Sequence, residues 1–312
     1  MIPRWTVLLP THNSPDTLRL AIDSVLDQTD ADLELLIVGD GCGDDTRAVV
    51  AERDDPRIRF VDAPKTPGFG YVTRRSALEQ TRSEYVAFIS DDDLFGPHHL
   101  AALGEQLERH DIAYSRPIWC VPPGELVPFS VDLNDPAMRV RFAEKNYIPS
   151  VFWGVRRAAL EGAGGWPVHV ASAADWTLWR AILAMEGSSL GYTPEATAVH
   201  FRARRRAFDH DVVAAILTLP DRSSWWPAAA SLASTAQHDL AVSMRDREWW
   251  RALGGAVTTI EHHLTMEYID GIVHAPSPSA AESARLEVHE MYARTISWRV
   301  TRPLRAIRRW VS

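Results

Sequence analysis

The sequence predicts an α/β protein with a mostly parallel sheet, followed by a C-terminal helical appendage. Three observations carry that expectation. Short apolar runs alternate with helix-patterned segments over residues 5–89. Polar clusters, "PTHN", "VGDGCGDD" and "DDD", recur at the ends of those runs. Beyond about residue 207 the alternation stops and Ala-rich helical stretches take over. Strands and helices in alternation imply a sheet with helices on both faces.

The elements follow in order. "WTVLLP" is short and apolar and reads as a buried strand. "NSPDTLRLAIDSVLDQT" reads as a helix: Ser14 is a natural N-cap, Pro15 suits the first helical position, and Asp16 favours the positive end. Leu18, Ala21, Ile22, Val25 and Leu26 recur at helical spacing and make one apolar face. "LELLIV" (33–38) is the second strand and "DDTRAVVAER" the next helix. "IRFVDA" (58–63) is the third strand, "VTRRSALEQTR" a helix, and "YVAFI" (85–89) the fourth strand. In such sheets ligands bind beyond the carboxyl ends of the strands. The three polar clusters therefore converge on one rim.

Bulk properties narrow the class. The 312 residues, 46% hydrophobic and 24% charged, fit a soluble globular protein of one large domain or a domain plus appendage. No apolar run approaches the ~20 residues that cross a bilayer. The start "MIPRWTVLLPTHN" lacks a basic region and cleavage site, so no signal peptide is expected. Cys42 and Cys120 form neither a disulfide framework nor a paired metal spacing, and a reducing cytoplasm is the default. The net charge is −8, yet residues 298–312 carry five arginines and no acid, leaving −13 on the rest. A nucleic-acid partner for that acidic body is not expected.

Asp91, Asp92 and Asp93 stand together straight after an apolar strand. Two like charges about 4 Å apart repel by roughly 1 kcal/mol in water and roughly 4 kcal/mol near a protein surface. Folding gains nothing from that, so positive charge is expected there. Mg²⁺ and Mn²⁺ prefer carboxylate oxygens and commonly bridge to substrate phosphates. With no P-loop in the chain, the cluster points to a nucleoside-diphosphate donor carried on a metal. The competing reading is a solvated acidic turn before a helix that starts near Pro97. A dinucleotide loop fits less well. Gly39-x-Gly41-x-Gly43 has the wrong spacing, and Asp44 and Asp45 sit where a pyrophosphate needs a positive helix end. The histidine pairs His98–His99 and His262–His263 lack cysteine or carboxylate at zinc-ligand spacing and read as surface or partly packed groups.

Taken in order, five segments resemble family 2 glycosyltransferases of the GT-A fold. "VLLPTHNSPDTLRLAIDSVLDQT" resembles that family's opening strand and helix, and "ELLIVGDGCGDDT" its nucleoside-binding strand end. "TRRSALEQTRSEYVAFISDDDLFGPHHL" resembles its Arg-bearing helix and metal motif. "FWGVRRAALEGAGGWP" resembles its acceptor-side segment and "ADWTLWRAI" its catalytic-base helix. The likeness covers roughly residues 3–205. It implies a GT-A catalytic domain over 1–206, a helical appendage over 207–297 and a basic tail over 298–312.

Residue by residue, the resemblance implies that Asp40 binds the nucleobase and that the chain at Pro10, Thr11 and His12 lines the same pocket. Asp91 would sit near the ribose, Arg74 near the diphosphate, and Asp92, with Asp93, on a Mn²⁺ or Mg²⁺ ion. His200 falls where many GT-A enzymes add a late metal or phosphate contact, and Asp175 where they keep the general base. The donor would be a nucleoside-diphosphate sugar, a UDP-sugar by family habit with GDP or dTDP left open by His12 and Gly39, and the acceptor a glycan or a lipid-linked sugar. The chemistry suits these residue types. An attacking hydroxyl must lose a proton, and a leaving diphosphate gains charge that a metal and an arginine offset. For Asp175 the competing role is a favourable acid at a helix start. Trp176 and Trp179 read as core, whereas Trp153 and Trp166 are either core or sugar-stacking groups. Arg202 and Arg204–Arg206 are either a solvated run or diphosphate contacts.

The departures from the family pattern are specific. His12 replaces a commoner tyrosine, Gly39 and Ser90 replace aspartates, and Ala174 replaces a glutamate. They keep open a nucleotide-sugar binding protein with weakened catalysis. A nucleotidyltransferase is the other alternative, although "LLPTHNSPDT" lacks its Gly-rich basic loop. The appendage is an expected surface for acceptor choice or homo-oligomerisation. In the tail, Val300, Leu304, Ile307 and Val311 make an apolar stripe beside Arg302, Arg305 and Arg309, with Trp298 and Trp310 near the ends. Such a helix either lies on an anionic membrane, which would make the enzyme peripheral on the inner face, or packs on the acidic body.

Overall fold

The computed structural model describes residues 2–66, 68–121, 125–128, 131–201, 248–250 and 252–260, all within one compact unit of the chain. The tail 298–312, Arg202, Arg204–Arg206, His262 and His263 lie outside the described residues. In chain order the elements begin β1 (Trp5–Thr11), α1 (Pro15–Leu26), β2 (Leu33–Asp40), α2 (Asp44–Ala51), β3 (Ile58–Ala63), α3 (Tyr71–Glu79) and β4 (Tyr85–Phe88). They continue β5 (Leu94–Phe95), α4 (His99–Leu107), β6 (Ile112–Ser115), β7 (Ile118–Val121), β8 (Glu125–Pro128) and α5 (Pro136–Glu144). The last are β9 (Trp153–Arg156), α6 (Arg157–Gly162), α7 (Ala174–Leu183), β10 (Leu190–Thr193) and β11 (Ala198–Phe201).

The first seven elements match the pattern read from sequence. The inner strands β1, β2 and β4 are buried almost throughout because helices cover both faces, whereas β3, at the sheet edge, is only half-buried. A seven-stranded sheet runs β10-β6-β9-β4-β1-β2-β3. β1 pairs in parallel with β2 on one side, Trp5 beside Leu33 to Thr11 beside Gly39, and with β4 on the other. The chain thus leaves β1 in one direction and returns past it, which makes a topological switch between β1 and β4. Ligands of open α/β sheets bind at such a point. β9 is antiparallel to β4 and to β6 and ends the parallel run.

The sequence pattern did not foresee the second sheet, β5-β11-β7-β8. Its strands are two or four residues long, too short for a periodic signal. β5 follows the acidic run directly and pairs antiparallel with β11, Phe95 beside Ala198. The run Asp91–Asp93 is therefore the link between two sheets. Leu94, Ile118, Leu126, Val199 and Phe201 form this sheet's core together with Leu253 and Val257 from helical residues 252–260. Gly96 is required here: a Cβ would come within 2.3 Å of the Trp250 ring. Among the described residues no helix is long and apolar enough to cross a membrane.

Three local expectations are corrected. Ser14 occupies the N-cap of α1 and Pro15 its first turn, but the Ser14 side chain makes no capping bond. Trp153 is not a sugar platform: it is fully buried and stacks on Trp179 at 5.2 Å, with its Nε1 donating to the Ile148 carbonyl. His99 is no surface group. It is fully buried at the start of α4, 2.8 Å from the Thr197 hydroxyl.

Candidate active site

The switch point is closed by a hydrogen bond. At the end of β1, Thr11 Oγ1 donates to Asp91 Oδ2 over 2.7 Å and the His12 N–H points at the same oxygen over 3.3 Å. Burial raises the Asp91 carboxyl, and these donors, with the Ser14 hydroxyl, oppose the rise. Ser14 is thus turned to the site rather than to its own helix. Pro10, half-buried, precedes them on β1, and His12 is exposed beside the pocket.

At the end of β2, Asp40 is 5% exposed. Its Oδ2 accepts from Lys65 Nζ, and its Oδ1 accepts from the Thr66 N–H at 2.7 Å and the Thr66 hydroxyl at 3.1 Å. Burial alone would raise this carboxyl, but those three donors more than offset it and hold it below its ordinary value. Gly70, at φ 72°, lies against the carboxylate, where a Cβ would sit 3.0 Å from Asp40 Cγ.

At the end of β4 the balance is the reverse. Burial pushes the Asp92 carboxyl up to about 7, with Asp93 and Asp91 adding to the rise and His200 opposing it. Asp93 is 1% exposed. Its Oδ1 lies 2.8 Å from His200 Nδ1 and accepts from the Phe201 N–H at 3.0 Å. Its Oδ2 is buried with no hydrogen-bond partner among the described residues. β11 thereby brings His200 from the far end of the domain to the acidic link.

α7 supplies Asp175 in its first turn, directly after Ala173, whose φ of 54° is left-handed. A non-glycine residue there costs roughly 1–2 kcal/mol, and such strain clusters at functional sites. Burial raises the Asp175 carboxyl, while the Trp176 N–H and the Arg74 charge pull it back. Arg74, on α3, lies over the rings of Tyr71 at 5.3 Å and Trp166 at 5.8 Å. Burial lowers its pKa, opposed by Tyr71 and by the charges of Asp175, Asp40 and Asp91. Among the described residues Arg74 has no hydrogen bond or ion pair to a carboxylate. It is a cation held on aromatic faces inside a ring of acids. Trp166 is 3% exposed and belongs to that aromatic floor.

Nine of the ten residues singled out in sequence share direct contacts or mutual electrostatics on this rim: Thr11, His12, Asp40, Arg74, Asp91, Asp92, Asp93, Asp175 and His200. Pro10, the tenth, is the neighbour of Thr11 on β1. Lys65 and Thr66 were missed, because "PKTPGFG" reads only as a turn. Their one legible signal was a lysine in a loop leaving a strand whose neighbour ends in Asp40.

The residues fit a hard divalent cation shared with a diphosphate. No three His, Cys, Asp or Glu side chains among the described residues form a ready cage. Mg²⁺ commonly takes only one or two protein carboxylates and completes its shell with substrate phosphates and water. The orphaned Asp93 oxygen and the raised Asp92 carboxyl both call for positive charge. A carboxylate on one ring nitrogen of a histidine also orients the other nitrogen's lone pair for a metal. The Asp93–His200 contact is of that kind.

A mostly parallel sheet with an acidic rim at its switch point, linked by that acidic run to a second small sheet, is the GT-A arrangement. A crystal structure of S. aureus TarS in complex with UDP-GlcNAc matches it with a TM-score of 0.54 over 93% of this chain and 81% of that one, at 16% identity. The family model described as Glycosyl transferase family 2 matches residues 6–163, and the chain belongs to that family. It is 32% identical over 112 residues to succinoglycan biosynthesis protein ExoO of Rhizobium meliloti (strain 1021), 36% of this chain and 31% of that protein. It is 29% identical over 109 residues to the UDP-Glc:alpha-D-GlcNAc-diphosphoundecaprenol beta-1,3-glucosyltransferase WfgD of Escherichia coli, 35% of this chain and 43% of that protein. The match thus spans less than half the length of these relatives.

Proposed function

We propose that the protein transfers a sugar, with inversion, from a nucleoside-diphosphate sugar to an acceptor hydroxyl. The carrying observation is the charge plan around Arg74: a cation with no carboxylate partner among the described residues, set among Asp40, Asp91 and Asp175. Asp175 takes the proton of the acceptor hydroxyl as its oxygen attacks the anomeric carbon. A carboxyl raised by burial is a better base than a solvated one, because its pKa lies closer to working pH. The bond from that carbon to the diphosphate breaks, and its electron pair leaves with the diphosphate. Arg74 faces the charge that develops there. Asp92 and His200, with Asp93, would hold a Mn²⁺ or Mg²⁺ ion, which would supply Lewis-acid stabilisation of the same charge. Asp93 holds His200 in place.

Asp40 and the β1 end at Pro10, Thr11 and His12 would hold the nucleoside, and Asp91 the ribose. Two relatives' names support the substrate classes: one names UDP-Glc and a diphosphoundecaprenol-linked GlcNAc, the other succinoglycan biosynthesis. A UDP-sugar donor and a lipid-linked or growing glycan acceptor follow. The proposed organisation is a catalytic domain over 1–206, an appendage over 207–297, most of it outside the described residues, that serves acceptor choice or self-association, and a tail over 298–312 that either meets an anionic inner-membrane surface or packs on the acidic body. Donor turnover by purified protein, with Mn²⁺ and with chelator, tests the core of this reading. Metal-dependent release of nucleoside diphosphate on adding acceptor supports it. Nucleotide binding without turnover under any acceptor would move the protein to the class of catalytically silent binders.

A further inference from the structure

We infer that Lys65 and Thr66 select the nucleobase by filling most of the Asp40 carboxylate, leaving it able to take one base N–H flanked by carbonyl groups. This rests on the nucleotide-sugar reading above. An ionised carboxylate offers about four acceptor positions. Three are occupied, by Lys65 Nζ, the Thr66 N–H and the Thr66 hydroxyl. The Oδ1 atom carries both Thr66 bonds, and the free position lies on Oδ2 beside the ammonium. Gly70 closes another side, and Asp40 is only 5% exposed.

Lys65 is different. Its side chain is 53% exposed, and an ammonium has three donors, of which Asp40 takes one. The end of β2 therefore presents one acceptor with donors beside it. Uracil and thymine present the complement, a single N3–H with a carbonyl on each side. Whichever side the ammonium approaches from, it meets an acceptor. Guanine presents a carbonyl, an N–H and an amino group in that order. A carboxylate grips the last two together only through two free positions, and Asp40 has one. Its amino group would be left facing the ammonium or nothing, and an unpaired polar group in a closed site is rejected.

The test is titration of UDP, dTDP and GDP, each with Mn²⁺, into the full chain and into Lys65→Met and Lys65→Arg. The wild type should bind UDP or dTDP at least about tenfold more tightly than GDP, the scale of one hydrogen bond gained or left unpaired. Lys65→Met, which keeps length and removes the donor, should narrow that ratio to about threefold or less, while Lys65→Arg should retain the preference. GDP binding as tightly as UDP to the wild type overturns the inference and leaves the nucleotide reading standing. Equal loss of all three nucleotides in Lys65→Met, or an unchanged ratio, makes Lys65 a loop anchor and overturns it too. Binding of none of the three by the wild type overturns the nucleotide reading itself, and this inference with it.

Discussion

The rim has two acidic ends with opposite electrostatics. Asp40, at the end of β2, is paired with Lys65 and Thr66 and sits below its ordinary pKa. Asp92, at the end of β4, is raised to about 7 by burial and its neighbours, and Asp93 keeps an orphaned oxygen. Asp40 and Asp93 are buried and Asp92 half-buried, at or just beyond the ends of two parallel strands separated by β1. The difference lies in what the chain provides. At β2 the protein supplies the positive charge, so the site is complete before a ligand arrives. At β4 the charged groups acting on Asp92 are Asp93, Asp91 and one histidine, His200, and in the proposed reading an external cation completes the site. A carboxylate cluster is evidence for a cation only where the chain has not already neutralised it.

The largest expected effect isolates the reaction from both ends. Asp175→Asn should leave nucleotide affinity near normal and slow transfer by about 10²–10⁴-fold, the usual contribution of a positioned acid or base. Steady-state kinetics together with nucleotide titration decide it, and a variant with most of its turnover intact would move the base elsewhere.

Next is the support of the incomplete end. Asp93→Asn keeps the side-chain volume but loses the charge facing His200. Removing an outer-shell partner of this kind typically costs about 10–100-fold in metal affinity. Mn²⁺ titration in the presence of UDP should show that loss. The matching change at the complete end, Asp40→Asn, should weaken nucleotide binding and leave the Mn²⁺ midpoint where it was. Equal shifts of that midpoint in both variants would erase the distinction between the two ends.

A smaller effect has the opposite sign. Asp92 has a folded pKa above its unfolded value, so the folded state binds the extra proton, and metal-free stability falls as pH rises from about 4 to about 7. Asp92→Asn removes that penalty. The metal-free variant should be more stable than wild type at pH 8, by roughly 1–4 kcal/mol, since the shift spans about three units and each is worth at most about 1.4 kcal/mol. Urea unfolding in chelator measures it. A destabilised variant would mean that the Asp92 carboxylate is already satisfied within the chain.

The smallest concerns a buried group outside this balance. Burial lowers the His99 pKa to about 3, and the unfolded chain holds that proton up to about 6.5. The stabilising preference for neutral His99 is complete above pH 6.5 and is lost as pH falls toward 3. Its slope is at most about 1.4 kcal/mol per pH unit. His99→Gln should flatten the acid limb of the stability profile by up to that slope. Parallel profiles for the two proteins would contradict the burial of a neutral imidazole.

The sequence by itself determined the parallel half of the fold. Its apolar runs, the face of α1 and the Pro15 start are local patterns, and strands covered on both faces are mainly apolar. It also placed Asp40, Asp91–Asp93 and Asp175, because strand ends and helix starts are local features too. Only the tertiary structure decided the rest. β5 and β11 pair residues about a hundred positions apart, and neither strand is long enough to declare itself. That pairing carries His200 to Asp93 and turns one of three equivalent aspartates into the partner of a histidine. Close packing drew Trp153 into a stack with Trp179, and a turn with no periodicity laid Lys65 on Asp40. Periodicity reports which face of an element is buried. Which partner arrives at that face depends on how the chain returns, and no local stretch of sequence encodes it.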